Sequence, residues 1–154
     1  MSIPVSRRLD FSEIPVIDLA PVIEEGDDAA VIAELGKACT DIGFIYVKNH
    51  RVAKQLVRNM HKQAALFFNL PEEQKMRIVL DPQMRGSLPL FYQNHEGEER
   101  QGTNHQEGFW IGHERPLNPQ RPLDGLNRWP PEVPGLQAVM ITYFEAMENL
   151  SKVL

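Results

Sequence analysis

The sequence holds a single cysteine, Cys39, in 154 residues. One thiol excludes an intrachain disulfide framework and a Cys-rich metal site, and its place in an apolar-periodic segment reads as a buried, inert thiol. Long apolar runs are missing as well. No stretch approaches the roughly 20 residues that a membrane-spanning helix needs, and Met1 to Asp10 lacks the apolar core of a secretory signal. No membrane partner is expected, and the reading places the chain in the cytoplasm. Basic blocks are also absent: 16 Lys and Arg against 21 Asp and Glu leave a formal charge of -5, with the signs interspersed. Nothing is arranged to neutralise a row of phosphates, so nucleic acid is not an expected partner. There are no internal repeats. What is present, 42% hydrophobic and 24% charged residues, is the balance of a folded, water-soluble protein, and the length suits one domain, residues 1–154.

Local patterning predicts an α+β chain. Ile14-Pro-Val-Ile-Asp-Leu19 is a short β-branched run behind a proline, the profile of a strand at a sheet edge or after a loop. Asp27 and Asp28 offer N-caps for a helix with apolar residues at Val31, Ile32, Leu35, Ala38, Cys39 and Ile42, ahead of a stop at Gly43. Phe44-Ile-Tyr-Val47 reads as a second strand and Lys48-Asn-His50 as a turn, because Asn tolerates the left-handed conformation. Leu56, Val57, Met60, Ala64, Phe67 and Phe68 predict a second helix, closed by Asn69 and Leu70. Pro71 suits the first position of a third, with Glu72 and Glu73 complementing its dipole.

From Asp81 to Asn104 no period is sustained, which predicts loops around at most one short strand near Leu88 to Tyr92. His105 to Gly112 fits a strand, and the proline-rich span from Arg115 to Pro134 an ordered connection. The clearest element is last: Leu136, Val139, Met140, Tyr143, Phe144, Met147, Leu150 and Val153 form a stripe over about five helical turns. No stop signal precedes Leu154, so the chain reads as cut inside a helix whose apolar face needs something to pack on.

These segments resemble a known family. Ile14-Pro-Val-Ile-Asp-Leu19, then Gly43-Phe-Ile-Tyr-Val-Lys-Asn-His50 with Val52, are similar to the opening of isopenicillin N synthase-like oxygenases. The likeness continues through Phe67-Phe-Asn-Leu-Pro-Glu-Glu-Gln-Lys75, Arg85-Gly86, Gln106-Glu-Gly-Phe109 with Gly112, and Asn127-Arg-Trp-Pro-Pro131 before the long helix, in the family's order. The resemblance implies the helical and strand portion that precedes a distorted jelly-roll (double-stranded β-helix), with the barrel incomplete. Residues 10–135 would be the matched region, and 136–154 the start of the helix leading to an absent catalytic barrel. It also implies one Fe(II) on two His and one carboxylate, and 2-oxoglutarate held by an Arg-x-Ser pair, for the complete family member. Those ligands lie later in the family than Leu154, so no catalytic residue is assigned and neither cofactor is expected on this chain alone. Two positions depart from the family pattern: Arg51 where a Gly commonly follows Asn-His, and Ser87 where an aromatic commonly follows Arg-Gly.

Several residues invite a site and are weighed against plainer roles. His105-Gln-Glu107 has the form of an iron motif, and Arg85-Gly-Ser87 that of a 2-oxoglutarate anchor, but their order is reversed relative to the family and both are read as decoys. If 105 to 113 is extended at ~3.3 Å per residue, His105 and His113 lie about 26 Å apart. His95 could replace His113, giving His95, His105 and Glu107 as an alternative metal site; the plainer reading pairs Glu107 with a nearby base or a backbone donor and leaves His105 a surface histidine. Arg85 is the candidate substrate contact, an Arg suited to a carboxylate, against a solvated loop arginine. His50 reads as a turn residue, His61 as a boundary residue, and Trp110 and Trp129 as packing anchors.

Three functions follow as expectations. The first is the N-terminal part of a non-haem Fe(II)/2-oxoglutarate-dependent oxygenase acting on a small molecule, inactive as it stands. The second is a non-catalytic module that docks on a partner, such as a separate catalytic half, through the face from Leu136 to Leu154. The third is a small metal-binding protein using His95, His105 and Glu107.

Overall fold

The structure, a computed structural model, describes residues 14–26, 28–90 and 106–154. The chain divides into two compact units, Met1–Ala53 with Glu145–Leu154, and Lys54–Phe144.

In the first unit, strand β1 (Val16–Asp18) runs parallel to β2 (Tyr46–Lys48), with Val16 opposite Tyr46 and Asp18 opposite Lys48. Parallel strands need a crossover, and helix α1 (Ala29–Asp41) supplies it after a single π-helical turn, Pro21–Glu25. Pro15 has no N–H to give, and its carbonyl accepts the Tyr46 N–H at 2.9 Å. That bond starts the ladder at Tyr46, which is why β2 lies two residues later than its expected start at Phe44. Ile17 and Leu19 are fully buried with Val31 and Ala38, and Leu35, Ile45, Val47 and Leu150 pack around them.

The α1 stripe is narrower than its sequence suggests. Val31, Leu35 and Ala38 face the core, whereas Ile32 and Cys39, one position on and ~100° around the helix, are exposed. The expectation of a buried thiol is thus corrected: Cys39 is exposed on the helix rim. Gly43 ends this segment at φ +80°, donating its N–H to the Ala38 carbonyl at 2.9 Å. Asn49 takes the left-handed conformation at φ +57°, and its amide donates to Asp18 Oδ1 at 2.7 Å. The Val52 N–H donates to His50 Nδ1 at 3.1 Å, a turn role. Arg51, also left-handed at φ +59°, occupies the position where glycine was noted as the usual residue.

The second unit opens with α2 (Lys54–Phe68), which buries Phe67. Pro71 proves to be the N-cap of the short α3 (Glu72–Met76) rather than its first residue. Phe67, Ile78, Val133 and Leu136 form the core, with Met60, Leu70, Phe109, Trp129 and Met140 around it. The Phe67 and Phe109 rings are 4.7 Å apart and Phe109 and Trp129 5.8 Å, so Trp129 is the packing anchor expected. Trp110 is not: it is exposed.

Strand β3 (Gly86–Leu88) pairs antiparallel with β4 (Gly108–Trp110), Ser87 opposite Phe109. The strand sought near Leu88 to Tyr92 therefore begins two residues earlier, and Tyr92 itself lies outside the described residues. From 115 to 134 there is no helix or longer strand, only isolated bridges such as Glu114 with Gly125. Helix α4 (Leu136–Ser151) begins in the second unit and ends in the first. Its apolar face is covered in part: Leu136 and Met140 pack in the Phe67 core and Leu150 in the Ile17 core, whereas Val139, Tyr143 and Met147 belong to neither. The described residues are thus α+β, two helix-backed two-stranded sheets, with no closed barrel among them.

Candidate functional site

The second unit gathers three of the sequence motifs around one turn. Asp81 shapes it: Oδ1 accepts the N–H groups of Gln83 at 3.0 Å and Arg85 at 2.9 Å, and its own N–H donates to the Arg85 carbonyl at 3.0 Å. Gly86 follows at φ +115°, where an added Cβ would lie 2.2 Å from the Ile78 carbonyl oxygen. The Arg-Gly pair thus has a backbone reason for its glycine.

Arg85 is 8% exposed, not the solvated arginine of the plainer reading. Its Nη1 donates to the carbonyls of Gln83 at 2.8 Å and Met84 at 3.3 Å, and Nη2 to that of Leu123 at 2.9 Å. Nε is buried without a hydrogen-bond partner among the described residues. The guanidinium lies against Gly112. Its two terminal nitrogens therefore serve the backbone of two segments, and the geometry is that of a clamp.

Asn127 and Arg128, whose roles could not be read from the sequence, complete the arrangement. The Asn127 side chain imitates a strand edge, accepting the Gly112 N–H and donating to the Gly112 carbonyl, both at 2.9 Å. Arg128 donates Nη1 to the Val79 carbonyl and Nη2 to the Arg77 carbonyl at 3.0 Å. Trp129 Nε1 donates to Glu114 Oε1 at 3.3 Å. The only signal in the sequence was the Asn-Arg-Trp-Pro-Pro string itself.

Glu107 is paired with Lys75, whose Nζ is 2.5 Å from Oε2 and also donates to the Phe68 carbonyl at 3.4 Å. A cavity of about 60 Å³ beside this pair is lined by Ser87, Glu72 and Leu90 among others. His95 and His105 lie outside the described residues. His113 is exposed and meets Phe144 edge-on at 5.1 Å; His61 is exposed on α2. Among the described residues no group of three His, Cys, Asp or Glu side chains could hold a metal ion. No helix there is long and apolar enough to cross a membrane.

Residues 14–132 match the family described as non-haem dioxygenase in morphine synthesis, N-terminal. The chain belongs to this non-haem dioxygenase N-terminal family. Among curated relatives, homoarginine-6-hydroxylase 2-ODD-233 of Oryza sativa subsp. japonica is 28% identical, over 93% of this chain and 47% of its own length. The 2-oxoglutarate-dependent dioxygenase caaD of Aspergillus niger is 31% identical, over 90% of this chain and 44% of its own. Among solved structures, a full-length Neurospora crassa protein in complex with alpha-KG and thymine superposes with a TM-score of 0.61 at 25% identity, over 90% of this chain and 45% of that one. A 2OG-Fe(II) oxygenase family protein from Caulobacter crescentus shares the fold, with a TM-score of 0.72 at 20% identity, over 92% of this chain and 46% of that one. The chain therefore spans about half the length of the relatives it matches.

Proposed function

We infer that the chain is the N-terminal part of a non-haem Fe(II)/2-oxoglutarate-dependent oxygenase acting on a small molecule, and that it supplies scaffold rather than the metal centre. The observation that carries this reading is the family match across 14–132 combined with coverage of under half of each relative. The described residues do not fit an iron centre: they contain no three-ligand cluster, and the one candidate carboxylate in them, Glu107, is held by Lys75. When bound, iron and 2-oxoglutarate would supply the oxidising chemistry from ligands contributed elsewhere, in the jelly-roll that the resemblance implies.

This chain's own residues do the positioning. Arg85, Asn127 and Arg128 tie the 77–86 segment to Gly112 and to Leu123 through backbone atoms. Arg85 is 8% exposed, with Nη1 and Nη2 donating to backbone carbonyls and Nε buried, so the clamp rather than a substrate contact is the role the geometry favours.

The test is to read the coding sequence directly beyond the Leu154 codon in all three forward frames and to assay the encoded polypeptide with residues 1–154. A His-x-Asp, a later His and an Arg-x-Ser, with 2-oxoglutarate turnover only when both parts are present, is the expected result. Turnover by the second part alone at the same rate would remove the scaffold role, and absence of any such sequence would remove the oxygenase reading.

A further inference from the structure

No further inference is drawn: the strongest candidate, the cavity of about 60 Å³ between α3 and β3 that Glu72, Ser87 and Leu90 line beside the Lys75–Glu107 pair, belongs to the site already described, and with Glu107 held by Lys75 nothing in the structure shows which ligand it would take.

Discussion

The Arg85 guanidinium lies so close over Gly112 that a Cβ at residue 112 would sit 2.3 Å from Nη2. Arg85 and Gly112 therefore act as one feature. Arg85→Ala would strand the carbonyls of Gln83 and Leu123 and should cost about 2–3 kcal/mol, and Arg85→Lys should recover little of it, since an ammonium lacks the planar fork. Gly112→Ala should cost about 1–3 kcal/mol by overpacking. In the Arg85→Ala background that second cost should fall by more than about 0.5 kcal/mol, measured by urea denaturation of the four proteins.

Lys75 and Glu107 are 13% and 27% exposed, too enclosed for an ordinary surface pair. Lys75→Met should destabilise by about 1–3 kcal/mol, because it leaves a half-buried carboxylate without its charged donor. Glu107→Gln in the same background should restore part of the loss. Equal melting temperatures for wild type and Lys75→Met would remove this pair from the account.

Arg51 carries a left-handed backbone that costs a non-glycine residue about 1–2 kcal/mol. Arg51→Gly relieves it while giving up only an exposed contact with Glu24 at 3.4 Å, worth roughly 0–1 kcal/mol, and loosening the unfolded chain. The expected net effect is a gain of about 0.5–1 kcal/mol, whereas Arg51→Ala should give none. Thermal denaturation of both variants checks the pair.

Asp18 has its pKa held below the ordinary carboxylate value by the Ala20 N–H first, then by the Asn49 amide and Lys48. A depressed folded pKa means stability that is fully present above the unfolded value of 3.8 and lost as pH falls through the lower folded one. Asp18→Asn should therefore flatten the acid limb of the stability profile and leave its shape above pH 5 unchanged, as read by unfolding between about pH 2 and 6.

Much of this was legible in the sequence, and the misses have physical causes. The β1–α1–β2 unit, α2, the proline-rich connection and α4 follow from apolar period and turn chemistry, and Asn49 took its left-handed turn as its residue type suggests. Ile32 and Cys39 failed because a stripe drawn from spacings of three and four spans more of a helix than one small core can cover. The open face of α4 is covered at Leu136, Met140 and Leu150, which periodicity could not show because it says which side is apolar and not what already lies against it. Arg85 illustrates the limit at the site: a guanidinium clamping carbonyls from residues 83 and 123 depends on tertiary proximity, and nothing local distinguishes it from a carboxylate receptor. Lys75 with Glu107, 32 positions apart, is invisible for the same reason, although a base or a backbone donor beside Glu107 was the plainer expectation.

The central claim, that this chain is scaffold and not the metal centre, is tested most directly by anaerobic calorimetric titration of Fe(II) with 2-oxoglutarate into residues 1–154. The account predicts no stoichiometric binding by the chain alone, and binding when the polypeptide bearing the two His and the carboxylate is added. Stoichiometric binding by 1–154 that His105→Ala abolishes would contradict it, and would make His95, His105 and Glu107 a metal site in their own right.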